Sequence, residues 1–176
     1  MNQPPRNLPI YADGVSVYIC RTVPDTGRAG EYLVMRRAGH ESFAGLWQQV
    51  TGAIHENETA VEAAVRELHE ETGLSPRELY SANMVHQYYA PDRDGIMIMP
   101  VFLAFVTPDT EEVTLSEEHD EFRWVPVGRA GEVFTFSQQR DRLVEIEENF
   151  VARPPSEYLR LIPSADVAKP RGRDHV

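Results

Sequence analysis

The amino-acid sequence predicts an α/β fold, because strand-like segments lie on both sides of one well-marked helical segment. Residues 14–21 and 31–37 are rich in β-branched, aromatic and other apolar residues, and the turn-rich stretch between them is typical of a hairpin. Residues 59–72 are instead rich in Ala, Leu and Glu, which favour a helix. Further strand-like segments follow that helix, and this alternation indicates the α/β class.

The other elements are justified in order along the chain. Thr59 and Glu62 form a capping box at the start of the first helix, and Gly73 provides its C-terminal stop. A Ser-capped amphipathic pattern predicts a second helix late in the chain. The expected elements are strands at 14–21, 31–37, 80–89, 97–106 and 122–125, a segment at 47–54 that leads towards the first helix, and helices at 59–72 and 137–150.

Length and composition indicate one compact domain. The chain has 176 residues, of which 41% are hydrophobic, and this is enough for a core that folds without disulfides. The single cysteine, Cys20, lies in an apolar run, so a buried structural thiol is expected there. The formal net charge of −11 disfavours binding to nucleic acid or to an anionic membrane, since both need clustered Lys and Arg.

The two ends of the chain differ from its centre. Residues 1–10 are expected to form an N-terminal arm and residues 152–176 a Pro-containing tail, in which YLRLI is the one segment expected to pack. Residues 11–151 are then the domain, and a homodimer built with either end is compatible with the sequence. A cytoplasmic location is expected, because the sequence shows neither a secretory leader nor an apolar run near the ~20 residues that span a bilayer.

The first helix carries three carboxylates at one-turn spacing. On a helical wheel, four apolar residues form the expected buried stripe, namely Val61, Ala64, Val65 and Leu68. Glu67, Glu70 and Glu71 then fall on a face beside that stripe. Because crowded carboxylates repel each other and are costly to desolvate, this arrangement predicts a hard divalent cation such as Mg²⁺ between them.

The spacing of this region carries a family resemblance. It reads Gly52, five residues, Glu58, seven residues, then Arg66-Glu67-Leu68, any residue, Glu70-Glu71, any residue, Gly73-Leu74. This pattern resembles the Nudix box at every defining position. The resemblance implies an α/β/α sandwich with a mixed sheet, a loop-helix-loop metal site, and hydrolysis of a nucleoside diphosphate linked to a further group.

The resemblance also implies roles for individual residues. Glu67, Glu70 and Glu71 would bind Mg²⁺ or Mn²⁺ together with the carbonyl of Gly52, while Arg66 and Glu58 would orient these ligands. The carboxylate that accepts the proton of the attacking water is either Glu67 or Glu118, and Glu118 is also a candidate metal ligand. A solvated acidic loop is the alternative interpretation of Glu118.

The substrate is suggested by a finer resemblance. The segment FAGLWQQVTGAIHENET and the pair Glu118-His119 are similar to the dihydroneopterin triphosphate pyrophosphatase branch of the family. This implies cleavage of a nucleoside or dihydroneopterin triphosphate to a monophosphate and pyrophosphate. The alternatives are a Nudix hydrolase of a diadenosine polyphosphate, ADP-ribose or another nucleoside diphosphate derivative, and a non-catalytic domain that senses a nucleotide.

Four further residues are candidates for substrate contacts. Arg36 and Arg37 end a strand, and one of the two guanidinium groups is expected to face the site and bind phosphate. Trp47 and Tyr89, the latter beside Tyr88, are candidates for stacking on a base or a pterin, with burial in the core as the alternative.

Overall fold

A computed structural model describes residues 6–21, 30–107 and 112–162. Within these ranges a nine-stranded mixed sheet carries helices on both of its faces. The strands are β1 Ile10–Tyr11, β2 Gly14–Arg21, β3 Glu31–Arg37, β4 Trp47–Gln48, β5 Val50–Ala53, β6 Glu78–Ala90, β7 Gly95–Phe105, β8 His119–Pro126 and β9 Arg160–Ile162. The helices are α1 Ala60–Thr72, α2 Ala130–Val133 and α3 Ser137–Ile146.

The sheet is mixed because β7 runs parallel to β2 and β1, whereas the other strand pairs are antiparallel. Its central order is β4-β3-β2-β7-β6-β9. Strand β8 lies off this path and pairs with β3 from Glu31 to Arg37. Alternate residues of β2 point to opposite faces, so Val17 packs with α1 whereas Tyr18 packs with α3. The expected α/β/α sandwich with a mixed sheet is confirmed.

The sheet divides where β2 and β3 separate. These strands pair with each other only near their shared turn, at Cys20 with Tyr32 and at Arg21 with Glu31. Further along, β4 pairs with β3 while β5 pairs with β2, so the chain bends at Gln49 as it passes from one part of the sheet to the other. The acidic residues of the candidate site lie on the α1 side of this junction.

Helix α1 begins and ends as the sequence predicts. The Thr59 side chain accepts from the backbone N–H of Glu62, the Glu62 carboxylate accepts from Thr59, and Gly73 adopts a left-handed conformation with φ of 71°. Only glycine takes this conformation without steric cost, so Gly73 ends the helix.

The buried face of α1 differs from the predicted stripe. Its buried residues are Ala63, Ala64, Leu68, Glu71 and Thr72, whereas Val61 and Val65 are only half-buried. The reason is a segment far along the chain, since the backbone of Thr114 and Ser116 donates to carbonyls in the last turn of α1. This segment covers Glu71, which therefore lies inside the buried face rather than beside it.

Other boundaries also differ from the sequence prediction. Strands β6 and β8 are longer than expected, residues 47–54 contain two strands, and α3 ends at Ile146 before a π-helical turn at Glu147–Val151. The residue that caps α3 is Phe136, not a serine; its backbone N–H donates to the side chain of Gln139.

Parts of the predicted N-terminal arm and C-terminal tail also join the sheet. Ile10, expected in an irregular arm, belongs to β1, and the YLRLI segment contributes β9 at the edge of β6. The remainder of the predicted tail, from residue 163 onward, lies outside the described residues. Among the helices that the structure describes, none has the length and apolar character needed to cross a membrane.

Candidate active site

The carboxylate of Glu67 lies directly against the backbone of Gly52. A Cβ atom at Gly52 would be 1.8 Å from Cδ of Glu67, a distance that no real structure tolerates. The absence of a side chain at Gly52 is therefore what leaves room for the Glu67 carboxylate in this position. The structure brings these two predicted site residues together.

Arg66 organises the acidic side chains around it. Its Nε and Nη2 donate to the two carboxylate oxygens of Glu58 at 2.8 and 2.9 Å, and Nη2 also donates to the carbonyl of Ala53 at 2.8 Å. Its Nη1 donates to Glu67 at 2.8 Å and to Glu70 at 3.0 Å. The hydrogen bonds from Arg66, followed by that from the His55 backbone, lower the pKa of Glu58 to about 2. Arg66 thus offsets the repulsion between three carboxylates.

Glu71 has the least satisfied carboxylate in this cluster. Its side chain is buried, and the Oε2 atom has no hydrogen-bond partner among the residues that the structure describes. Burial, followed by the negative charges of Glu118 and Glu67, raises the pKa of Glu71 to about 9, while the Thr51 backbone N–H opposes the shift. A buried carboxylate beside two others lacks a positive charge, and a cation would supply it.

Most of the buried side-chain atoms that lack a partner belong to this site. Within the described part of the chain four such atoms occur: Glu71 Oε2, His119 Nδ1, Ser116 Oγ and Arg142 Nε. The first three are neighbours, because the Ser116 N–H donates to the carbonyl of Glu71 and the His119 N–H donates to the carbonyl of Ser116. His119 Nδ1 lies 3.8 Å from Glu71 Oε2. Unpaired polar groups concentrated at one place indicate a missing ligand.

Arg37 links Glu118 to the loop between β3 and β4. Its Nη1 donates to Glu118 at 2.8 Å, its Nη2 to Glu41 at 2.8 Å and its Nε to the carbonyl of Ser42 at 3.2 Å. Arg36 points to the opposite face and pairs with Asp120 at 2.7 Å. The expected division between the two arginines is therefore seen, and a phosphate at Arg37 would have to replace one of these partners.

The aromatic candidates lie away from the acids. Trp47 is on the α3 side of the sheet, where the guanidinium carbons of Arg123 and Arg36 lie 4.3 and 5.9 Å from its ring centroid. Tyr89 donates to Asp94 at 3.0 Å in the β6–β7 hairpin, and among the described residues no hydrogen bond or ion pair joins it to the acids. Stacking on Trp47 would require the Arg123 side chain to move from the ring.

One residue of this site was not singled out by sequence reasoning. His119 was noted only as part of the Glu118-His119 pair, yet its ring is buried between Glu71 and Gln48, with Nε2 3.3 Å from the Gln48 Nε2. The sequence contained a signal, since this histidine directly follows a candidate catalytic carboxylate. Its burial depends on how β8 pairs with β3, and a motif alone does not show this.

The residues present fit a divalent cation, although they are not arranged as a finished ligand set. Among the described residues no three Asp, Glu, His or Cys side chains converge on one point. The reason is that Arg66 draws Glu67 and Glu70 towards itself. Oxygen donors, an unpartnered buried carboxylate oxygen and a glycine carbonyl suit Mg²⁺ or Mn²⁺, provided that Glu67 and Glu70 turn away from Arg66.

Comparison with known proteins identifies the family of the chain. A family model described as NUDIX domain matches residues 12–151. Phosphatase NudJ from Escherichia coli (strain K12) is 36% identical over 122 residues, which cover 65% of this chain and 71% of that protein. The sequence identity therefore extends well beyond the box.

Solved structures show the same fold. A binary complex of C. elegans Ap4A hydrolase matches with a TM-score of 0.63 at 19% identity. The match covers 78% of this chain and 96% of that one. The E. coli dihydroneopterin triphosphate pyrophosphohydrolase has a TM-score of 0.58 at 21% identity, with 76% and 94% covered. These likenesses span several branches, so the branch suggested by sequence stays a prediction. The chain belongs to the Nudix hydrolase family.

Proposed function

We propose that this hydrolase uses a divalent cation to cleave a nucleoside or dihydroneopterin triphosphate into a monophosphate and pyrophosphate. The observation that carries the proposal is the buried, unpartnered Oε2 of Glu71 beside the carboxylates of Glu67 and Glu118. An uncompensated buried acid is costly unless a ligand completes it. A cation bound to the phosphates of the substrate would supply the positive charge that the buried acid lacks.

Glu67, Glu70, Glu71 and the carbonyl of Gly52 are the groups that would hold Mg²⁺ or Mn²⁺. When bound, the cation supplies stabilisation of charge on phosphate oxygens and lowers the pKa of the attacking water. Arg66 restrains Glu67 and Glu70 before the cation binds, and its guanidinium stays in place beside them when they turn to the cation, because it is fixed by both oxygens of Glu58.

Glu118 is the carboxylate that we assign as the general base. Its side chain is 52% exposed, whereas that of Glu67 is 13% exposed and bound to Arg66. Water therefore reaches Glu118 more easily. As the water oxygen bonds to phosphorus and the anhydride P–O bond breaks, the Glu118 carboxylate accepts the water proton while Arg37 holds its orientation.

The ring of the substrate is assigned to the Trp47 side of the junction at Gln49. Trp47 and Gln48 are neighbours on β4 that point to opposite faces, so β4 joins the acidic cluster to the aromatic side. Arg36 supplies positive charge there, and we assign Tyr89 as a more distant contact. A cytoplasmic location and a possible homodimer stay predictions from the sequence.

A second candidate function is release of a single phosphate. The relative that is 36% identical carries the name phosphatase, which describes removal of phosphate rather than pyrophosphate. The acidic cluster serves both reactions, because the difference lies in which phosphorus the water meets. The place where the substrate ring binds beside Trp47 would determine which phosphorus faces the acidic cluster.

A product panel tests the proposal. Purified protein with Mg²⁺ is incubated with dihydroneopterin triphosphate, each dNTP, ADP-ribose and a diadenosine polyphosphate, and products are resolved by chromatography. Pyrophosphate and a monophosphate from a triphosphate would support the proposal, whereas inorganic phosphate would support the phosphatase. Saturable nucleotide binding without turnover of any compound would favour the sensing domain.

Matched variants connect the activity to the site. Glu70→Gln is expected to lower turnover at least about 100-fold, because a ligand of the cation is lost. Glu132→Gln removes the same charge at an exposed position of α2, where Glu132 pairs with nearby Arg129 within the described part of the chain, and turnover is expected to stay within twofold. Equal turnover of both variants would refute the assignment of Glu70 as a ligand.

A further inference from the structure

The geometry points to His119 as a positioning residue that holds the Glu71 carboxylate in its metal-binding orientation through an Nδ1–H donor. This inference rests on the proposed metal site and adds to it a histidine that is not one of the proposed metal ligands. It concerns the orientation of one carboxylate, and His119 itself is not assigned as a ligand.

The first observation is that two unpartnered atoms face each other. The side chains of His119 and Glu71 are 0% and 4% exposed, and the distance from Nδ1 to Oε2 is 3.8 Å. Neither atom has a hydrogen-bond partner, although each is buried. The separation exceeds a hydrogen bond by less than 1 Å, so a small turn of the Glu71 carboxylate closes it.

The second observation fixes which nitrogen of His119 carries the proton. Nε2 lies 3.3 Å from Nε2 of Gln48, an amide nitrogen that can only donate. With the Gln48 amide oriented in this way, His119 Nε2 accepts and Nδ1 carries the hydrogen. The donor that results is aimed at Glu71.

The third observation is that the backbone holds the ring of His119 in place. The His119 N–H donates to the carbonyl of Ser116 at 3.2 Å, and the preceding carbonyl of Glu118 accepts from Ala38 at 2.8 Å. His119 also pairs with Arg37 across β8 and β3. The imidazole is therefore fixed on the sheet, and Glu71 is the partner that adjusts.

The consequence concerns the two oxygens of Glu71. The backbone N–H of Thr51 bonds to the carboxyl group on the β5 side, and His119 approaches Oε2 from the β8 side. Donors on two sides restrict the orientation of the Glu71 carboxylate. Such donors to metal-binding carboxylates commonly change metal affinity by about 10- to 100-fold.

The test uses Mn²⁺ binding to the full chain, measured by electron paramagnetic resonance without substrate. Asn at this position places an amide nitrogen near that of Nδ1, whereas Gln places one near Nε2. We expect His119→Asn to keep the Mn²⁺ dissociation constant within about threefold of wild type, and His119→Gln to raise it at least about tenfold. The exposed His69→Gln in α1 serves as the control and should leave it unchanged.

The outcomes separate this inference from the proposed function. Equal dissociation constants for His119→Asn and His119→Gln would overturn the positioning role, even where both variants lose thermal stability. If wild type itself fails to bind Mn²⁺, the proposed metal site is wrong, and the role of His119 falls with it. Weak binding by His119→Gln together with wild-type binding by His119→Asn supports both.

Discussion

Two groups of buried polar side chains lie on opposite faces of the sheet, and they differ in how completely their hydrogen bonds are made. On the α3 side, Gln49 donates to Ser16 at 3.0 Å and accepts from Gln139 at 3.0 Å. Tyr18 donates to the carbonyl of Gln139 at 3.0 Å and lies 3.2 Å from His86 Nε2. On the α1 side, the group around Glu71 keeps three unpartnered atoms.

The difference indicates different roles for the two groups. A buried network in which Gln49, Gln139 and Tyr18 are all hydrogen-bonded contributes to stability and fixes the packing of α3 on the sheet, where Arg142 Nε is the one buried side-chain atom without a partner among the described residues. An incomplete one costs stability and persists where a ligand completes it. Substitutions on the α1 side should therefore change activity more than stability, and substitutions on the α3 side should do the reverse.

The largest effect is expected for Glu71→Gln. Loss of the carboxylate should lower kcat/KM at least about 10³-fold, which corresponds to roughly 4 kcal/mol. The free energy of unfolding without metal at pH 7 should stay within about 1 kcal/mol of wild type, because the high pKa already keeps Glu71 neutral. Steady-state kinetics and urea unfolding measure the two. A kcat/KM for Glu71→Gln within tenfold of wild type would contradict the expectation that the polar group on the α1 side serves activity.

The next effect is expected for Gln139→Leu, on the complete side. Gln49 Oε1 and the Phe136 N–H would lose their partner, at a cost of about 2 to 3 kcal/mol in the free energy of unfolding. kcat should stay within about threefold. Urea unfolding beside an activity assay checks both values, and a large loss of kcat with unchanged stability would show that this network serves catalysis instead.

His86 gives a pH-dependent test of the same network. Burial, followed by the nearby Arg142 charge, lowers the pKa of His86 to about 4. As the pH falls from about 6.5 towards 4, the unfolded chain gains a proton at His86 that the folded protein does not, so the free energy of unfolding decreases. This stability is present above pH 6.5, and its loss should be on the order of 2 kcal/mol by pH 4.5.

The control for this prediction is His86→Gln, which keeps a nitrogen near Nε2 for Tyr18. Unfolding free energies at pH 7 and pH 4.5 are compared for both proteins. Wild type should lose more stability than the variant between the two pH values. An identical loss would mean that His86 titrates normally in the folded state.

The smallest effect is expected for Arg123→Ala, which uncovers the ring of Trp47. Loss of this cation–π contact should cost less than about 1 kcal/mol of stability. In a Trp124→Phe background, nucleotide should then quench Trp47 fluorescence more strongly and KM should fall about twofold to threefold. Unchanged quenching and KM would argue that the substrate ring binds elsewhere.

Local patterns explain which features could be predicted from sequence. The capping box at Thr59 and the stop at Gly73 depend on residues within one turn of the helix ends, so α1 was predicted almost to the residue. The opposite directions of Arg36 and Arg37 follow from strand geometry alone.

Long-range contacts explain what could not be predicted. Glu71 is buried because the segment around Ser116 covers the end of α1, and a helical wheel contains no information about that segment. The same holds for the Arg37 to Glu118 ion pair, which joins residues 81 positions apart, and for the guanidinium of Arg123 over Trp47. The box motif identified the acids, while their partners depended on tertiary structure.

The most direct test of the central claim is the anomalous diffraction of crystals soaked with Mn²⁺. A Mn²⁺ peak is expected within about 2.5 Å of Glu71 Oε2 and of a Glu67 oxygen, with Glu67 turned away from Arg66. A Glu71→Gln crystal under the same conditions should lack the peak. A Mn²⁺ ion bound elsewhere, with Glu71 Oε2 still unpartnered, would contradict the claim that the incomplete polar group is the metal site.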